Sequence, residues 1–214
     1  MGDEGTNRFN NGCRDRMAEV SEFRDWITRI RRGDETAAAE LVAKYERLIR
    51  TAIRVRIVDP NFGRLFDSSD VCQSVLGSFF ARAALGQFDL EEPGQLAALL
   101  VKMAKNKVAK QMRWHSQDRR DVHRQQADGS TFLRSLADPA DQVRHAEAMD
   151  VLREIRLRLT PQERKLVDLR CEGKTWVEIA EELGGDPQLH RKRLQRAVDS
   201  LARDVGLDDE ADDD

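Results

Sequence analysis

The spacing of apolar residues is the feature that most limits what this chain can fold into. Apolar side chains recur every three or four residues along most of the sequence, and no stretch alternates with a sustained period of two. A period of three to four places apolar side chains on one face of an α-helix, whereas a strand needs a period of two. Aromatic residues make up only 6% of the chain and charged residues 35%, which suits helices with one apolar stripe. The sequence therefore predicts an all-α fold.

The same periodicity divides the chain into segments. It is clear over residues 18–114, is lost in the polar residues 115–148, and returns over residues 149–206. We therefore expect a helical bundle, a polar linker and a second small helical domain, in that order. Residues 1–17 are expected to be an N-terminal tail and residues 207–214 an acidic C-terminal tail.

Capping residues indicate where the helices of the bundle begin. The first helix is expected to start near Val20 with Ser21 as its cap, and Asp34 can cap the next one. The apolar face of that second helix is expected to include Leu48.

Composition and motifs exclude several classes of protein. The longest apolar run, residues 96–101, is too short to cross a membrane, and the N-terminus shows no secretory signal. The three cysteines, Cys13, Cys72 and Cys171, are widely spaced and form no zinc motif, and Cys72 is expected to be buried. No catalytic arrangement stands out. We expect a cytoplasmic protein that is not an enzyme, with no membrane insertion, metal or cofactor.

The net charge of −3 hides an uneven distribution. Residues 204–214 contain seven acidic residues and no basic one, so the remainder of the chain carries a net charge of +4. Two segments are strongly basic: residues 102–125 carry a net charge of +6 and residues 187–203 one of +4. Such patches are the electrostatic footprint of a protein that binds nucleic acid.

The second patch lies in a predicted helix-turn-helix. Thr160 and Thr175 each begin a capping box, and Gly184-Gly185 separates the helix after Thr175 from a last helix that starts near Pro187. An α-helix fits the major groove, where Arg and Lys reach base edges and phosphates. The outer face of the last helix carries Leu189, Lys192, Arg193, Arg196 and Arg203. The alternative is a solvated face on a structural hairpin, and the turn residues and the charge together favour DNA binding.

The first patch forms a stripe on a long helix. Lys102, Asn106, Lys110 and Arg113 recur at helical spacing, and Asn106 could hydrogen-bond a base edge. A solubilising surface with no ligand remains an open alternative at this position.

Three stretches resemble the sigma-70 family of bacterial transcription factors. Residues 68–83 (SSDVCQSVLGSFFARA) and 96–114 (LAALLVKMAKNKVAKQMRW) resemble two helices of region two, and residues 159–203 resemble the helix-turn-helix of region four. With only these two regions, the chain resembles the extracytoplasmic-function (ECF) group. Leu189 and His190 depart from the small or β-branched residues usual in the recognition helix.

This resemblance implies a sigma factor that brings core RNA polymerase to promoter DNA. Region two would contact the polymerase through Asp70, Gln73 and Ser74. It would hold the melted minus-ten element with the 85–95 loop and with Lys102, Asn106, Lys110 and Arg113. Region four would read the minus-thirty-five element with Gln188, Leu189, Arg191, Lys192, Arg193 and Arg196. The resemblance also implies an anti-sigma factor among the candidate partners, although no residue identifies one.

Two other classes of function stay open at this stage. A two-domain helix-turn-helix regulator would bind its operator without polymerase, and an adaptor would bind only proteins. The acidic tail also has two readings: it could shield the basic helix in the free protein, or it could serve only as a solubilising tail.

Overall fold

The computed structural model describes residues 6–56, 68–118 and 156–204. Within these ranges the chain is helical and contains no strand, which confirms the all-α prediction. The helices are α1 (Thr6–Arg31), α2 (Glu35–Arg56), α3 (Ser68–Ala84), α4 (Pro93–Asp118), α5 (Pro161–Cys171), α6 (Trp176–Leu183) and α7 (Pro187–Asp204).

The helix starts follow from local chemistry. The Asp34 carboxylate accepts a hydrogen bond from the Ala37 amide at 2.9 Å, so Asp34 caps α2 as predicted. Gly33 precedes it with a φ of +79°, a conformation that favours glycine. Thr160 and Thr175 both form complete capping boxes, at the starts of α5 and α6.

The first hydrophobic core lies among α1, α2, α3 and α4. Phe79 of α3 is fully buried at its centre and stacks on Phe88, with ring centroids 5.5 Å apart. Ile49 of α2 and Leu100 of α4 are also fully buried. Cys72 is buried in the same core, as predicted. These helices form the N-terminal domain.

The second core lies among α5, α6 and α7, which form the C-terminal domain. Leu166, Ile179 and Leu194 provide one fully buried side chain from each helix. This core also includes Ala81 and Leu85, which belong to the N-terminal domain. The two domains therefore pack directly against each other, a contact that the sequence pattern did not predict.

Three local predictions about the N-terminal domain were wrong. Helix α1 begins at Thr6 rather than near Val20, so Ser21 is inside a helix and is not a cap. The apolar stripe marks only the part of α1 that packs on the core, and the preceding turns lack such a stripe. Leu48 is 37% exposed, and the neighbouring Ile49 takes the buried position instead. Helix α4 continues to Asp118, into the segment predicted as linker.

Candidate DNA and polymerase interfaces

The start of α6 is fixed by its capping box. The Thr175 hydroxyl accepts a hydrogen bond from the Glu178 amide at 3.3 Å, and the Glu178 carboxylate accepts one from the Thr175 amide at 2.7 Å. The hydrogen bond from the Thr175 amide and a second one from the Thr175 hydroxyl, at 2.8 Å, stabilise the ionised carboxylate and hold the pKa of Glu178 below its usual range. Trp176 follows as a buried anchor and lies under the Arg170 guanidinium, 4.7 Å from the ring centroid.

The turn between α6 and α7 is held by polar contacts on both sides. Gly184 and Gly185 have φ angles of +74° and +93°, which lets the chain reverse without a strained side chain. The Asp186 carboxylate then accepts a hydrogen bond from the Leu189 amide at 3.0 Å and caps α7. The His190 ring nitrogen lies 2.7 Å from the Gly184 carbonyl oxygen, which ties α7 back to the turn. This is the helix-turn-helix that the glycine pair and caps predicted, and His190 is half-buried at its edge.

The exposed positions of α7 include the candidate residues for the minus-thirty-five element. All six are exposed: Gln188, Leu189, Arg191, Lys192, Arg193 and Arg196. Leu189 is 63% exposed, so its side chain is open to a ligand. The structure therefore brings the predicted set together on one solvent-facing helix.

Part of this face lines an open groove of about 630 Å³. Lys192, Arg193 and Arg196 lie on the α7 side of the groove together with Leu189, and Arg158 lies on the opposite side. The one acidic residue in its lining is Glu163, whose carboxylate accepts a hydrogen bond from the Thr160 amide at 2.8 Å. The groove is therefore strongly cationic, and its lining also includes four apolar residues: Leu159, Leu189, Ala197 and Leu201.

Arg191 is set apart from the groove residues. Its guanidinium points toward the N-terminal domain and lies 3.9 Å from the Asp89 carboxylate. Arg191 is 46% exposed, so this ion pair is weak by itself. It nevertheless places a candidate DNA-contacting residue beside the predicted 85–95 loop, which the sequence also assigned to DNA and whose last residues, from Pro93, are the first turn of α4.

The basic stripe on α4 is largely at the surface. Lys102, Lys110 and Arg113 are exposed and Asn106 is half-buried between them, so the structure brings the predicted stripe together. Lys107 is buried, so part of the charge counted in this patch does not face solvent. Arg119, Arg120 and Arg124, which add to the predicted patch, lie outside the described residues.

The candidate polymerase contacts lie near the start of α3. Asp70 is exposed and Gln73 is half-buried, whereas Ser74 is only 5% exposed. The three residues lie within five positions of the sequence, but only Asp70 and Gln73 reach the surface. From Val75 to Ala83 every residue of α3 is buried.

Sequence reasoning missed the residues that join the two domains. Arg170 and Arg82 are both buried, and each forms an ion pair across the domain boundary. Each occupies a position in its helix among buried apolar neighbours, such as Leu169 beside Arg170 and Ala81 beside Arg82. The sequence did carry a signal for these residues. A charged residue within an apolar stripe is expected to be buried, and a buried cation needs a partner.

The described residues contain neither a metal-binding cluster nor a membrane-spanning helix. No group of three or more His, Cys, Asp or Glu in these ranges could hold a metal ion. No helix in the part of the chain that the structure describes is long and apolar enough to cross a membrane.

Comparison with known proteins gives one match. A family model described as ECF sigma factor matches residues 19–205. The match covers both helical domains and the segment between them. No curated protein and no solved structure matches the chain.

Proposed function

The chain belongs to the ECF sigma factor family, and on that premise we propose that it reads two separate promoter elements with its two domains. As a sigma factor it binds core RNA polymerase and promoter DNA. In our proposal α7 reads the minus-thirty-five element, while α4 and the 85–95 loop hold the minus-ten element. The observation that carries this proposal is the capped helix-turn-helix whose last helix exposes all six candidate contact residues, five of them away from the N-terminal domain.

The groove beside α7 supports major-groove reading by the C-terminal domain. Lys192, Arg193 and Arg196 supply positive charge along one side of a helix, where phosphates and base edges would meet them. The exposed Leu189 can contact a thymine methyl group. A bidentate contact from Arg to a base contributes about 1–3 kcal/mol of discrimination.

The α4 stripe supports contact with the minus-ten element. Lys102, Lys110 and Arg113 provide positive charge for the phosphates of one strand. Asn106 lies half-buried among them, so its amide can face an unstacked base while its stem stays fixed. We assign base contact to Asn106 and backbone contact to its basic neighbours.

The exposed start of α3 supports contact with the polymerase. Asp70 and Gln73 are the two candidates whose side chains reach the surface there. Ser74 lies beneath them, where its small side chain lets α3 pack closely. We therefore assign the direct contact to Asp70 and Gln73, and a supporting position to Ser74.

The test is a footprint of the holoenzyme on a mapped promoter. With Arg196→Ala we expect about tenfold weaker protection of the minus-thirty-five element, because one strong base or phosphate contact is lost. With Asn106→Ala we expect normal protection upstream and reduced strand opening at the minus-ten element. Arg47→Ala is the control matched to Arg196→Ala, because Arg47 is exposed on α2, which carries none of the assigned contact residues, and its loss changes the net charge by the same amount. If all three variants give the same footprint, the residue assignments are wrong.

A gel-shift experiment separates this function from that of a stand-alone regulator. A regulator should bind its operator tightly without polymerase, at nanomolar concentrations. We expect this protein to bind promoter fragments tightly only together with core polymerase. Tight, sequence-specific binding by the free protein would favour the regulator.

A further inference from the structure

The cationic groove beside α7 follows one face of that helix along most of its length. The α7 residues in its lining begin at Leu189, end at Leu201 and recur at alternating intervals of three and one, the spacing of a single helical face. Between these two residues the helix rises about 18 Å, at 1.5 Å per residue. The groove therefore extends almost to Asp204, where α7 ends.

The lining of the groove combines positive charge with apolar surface. Four cationic side chains, three from α7 and Arg158, face a single acidic residue, Glu163, so the lining carries a net charge of +3. The Glu163 carboxylate is already bonded to the Thr160 amide in the capping box of α5. Leu159 and Leu201 add apolar surface to the same lining. Such a groove is complementary to an extended acidic segment that also carries apolar side chains.

The residues that follow α7 have this complementary composition. The C-terminal segment, residues 205–214, reads VGLDDEADDD and contains six acidic residues and no basic one. Val205 and Leu207 provide branched apolar side chains at its start. Gly206 lies two residues beyond the end of α7, where a glycine permits the chain to turn back. The segment therefore matches the groove in charge and in apolar content, and it begins beside one end of the groove.

The C-terminal segment is also long enough to cover the groove. The return path from Asp204 to the level of Leu189 is about 22 Å along α7. If two or three residues make the turn, the remaining seven or eight span about 23–26 Å at roughly 3.3 Å per extended residue. The segment can therefore reach the far end of the groove without any change in α7.

The register of the returning segment follows from the apolar residues. Each extended residue passes about two helical positions, because the rise is roughly 3.3 Å in an extended chain and 1.5 Å in a helix. With Leu207 against Leu201, residues 208–210 come level with Arg196 and Arg193. These are three consecutive acidic residues, so they bring carboxylates to the cations of the groove.

Covalent attachment makes weak ion pairs effective at this position. A single exposed ion pair contributes little by itself, but a tethered segment is present beside the groove at a local concentration in the millimolar range. DNA phosphates need the same cations of α7, so the segment and DNA exclude each other from the groove. Salt screens the charges that hold the segment, so its occupancy falls as the ionic strength rises.

We propose that residues 205–214 turn back along α7 and occupy the cationic groove in the free protein, where their carboxylates take the place of DNA phosphates. The competition with DNA rests on the proposed function, because the groove cations are those assigned to the minus-thirty-five element. The occupancy of the groove does not rest on it and is measured separately below. The proposal selects the shielding interpretation of the acidic tail over the solubilising one.

Two matched triple variants of the full chain test the proposal. The tail variant carries Asp208→Asn, Asp209→Asn and Glu210→Gln together. The control variant carries Glu19→Gln, Glu22→Gln and Asp25→Asn, which change the net charge by the same amount at exposed positions of α1. None of the control residues lines the groove, and none of the six substituted residues is assigned to DNA or polymerase.

The first readout needs no DNA. An N-hydroxysuccinimide acetate reagent labels the amines of Lys192 in the groove and of Lys105, exposed on α4, and mass spectrometry compares the two rates. In about 0.1 M salt we expect Lys192 to react about threefold faster in the tail variant than in the parent and control chains, and Lys105 to react equally in all three. Equal Lys192 rates in the three proteins would overturn the proposal. A slow Lys192 rate that is lost on dilution would assign the groove to the segment of a second copy and would also overturn it.

The second readout is the affinity of the free protein for DNA. The probe is a short duplex carrying a mapped minus-thirty-five element, titrated in the same salt. We expect the tail variant to bind about tenfold more tightly than the parent chain, because the fraction of protein with an open groove rises, and the control to change less than about twofold. The gain should disappear in about 0.5 M salt. Equal gains for the two variants would show an effect of net charge alone and overturn the proposal.

The two readouts separate failure of this proposal from failure of the proposed function. If the protein supports no initiation and no minus-thirty-five element can be mapped, the proposed function fails. The Lys192 rates then still decide whether the segment occupies the groove.

Discussion

The Arg170–Asp89 pair allows the packing of the two domains to be tested quantitatively. Arg170→Met removes the guanidinium while keeping an apolar stem, and Asp89→Asn removes the negative charge while keeping an acceptor oxygen. Arg170 also donates to the Lys174 carbonyl oxygen at 2.8 Å and lies over the Trp176 ring, so it supports its own domain as well as the interface. Only a double-mutant cycle isolates the free energy that Arg170 and Asp89 contribute through their contact with each other.

The expected losses in the free energy of unfolding follow from how deeply each side chain of the pair is buried. Breaking a buried ion pair by removing one partner costs about 3–5 kcal/mol. The Asp89 side chain is 31% exposed and can be partly hydrated, so we expect Arg170→Met to cost about 3 kcal/mol, at the low end of that range. Asp89→Asn replaces a charge-assisted hydrogen bond with a neutral one, and we expect a loss of about 1–2 kcal/mol. The coupling energy of the pair should then be about 1.5 kcal/mol.

The assay is equilibrium unfolding of the full chain in urea, followed by circular dichroism. The parent chain should unfold in one transition, because Ala81 and Leu85 belong to the core of the other domain. The double variant should unfold in two transitions as the domains separate. A coupling energy below about 0.5 kcal/mol, with a single transition in all four proteins, would refute the assigned role of this pair.

Three further predictions concern single residues. Thr175→Ala should lower the stability of the C-terminal domain by about 1 kcal/mol in thermal unfolding, because it removes the side-chain cap of α6; an unchanged melting temperature would contradict this. The pKa of Glu178 in the folded chain is held below its usual value of 4.5. Its contribution to the stability of the fold is therefore complete above about pH 4.5 and is lost as the pH falls through the pKa of the folded state. Glu178→Gln should therefore make acid unfolding less steep below about pH 4.5, and parallel acid curves would argue against it. Burial raises the pKa of Cys72 to about 11, so iodoacetamide should modify this thiol far more slowly in the folded chain than in urea. Mass spectrometry can measure the two rates, and equal rates would contradict the burial of Cys72.

Local signals in the sequence were sufficient to predict most of the helix-turn-helix. Thr160, Thr175 and the Gly184-Gly185 pair act through contacts within a few residues, so their pattern alone identifies the caps and the turn. The outward position of Leu189 also followed from helical spacing and is confirmed.

Long-range contacts could not be predicted in the same way. Arg170 meets Asp89 across 81 positions in the sequence, and nothing near either residue encodes that encounter. The docking of Ala81 and Leu85 into the second core depends on the shapes of two finished domains. The beginning of α1 was missed because apolar spacing reports only the turns that pack on a core.

Start-site mapping in a reconstituted system tests the central claim most directly. Core RNA polymerase would be incubated with fragments of the source genome, with and without the protein, and the 5′ ends of the transcripts sequenced. The account predicts discrete starts that appear only with the protein, preceded by shared minus-ten and minus-thirty-five elements. They should be lost when Lys192, Arg193 and Arg196 are replaced together by alanine. The absence of protein-dependent initiation at any site, with core enzyme that is active with another sigma factor, would contradict it.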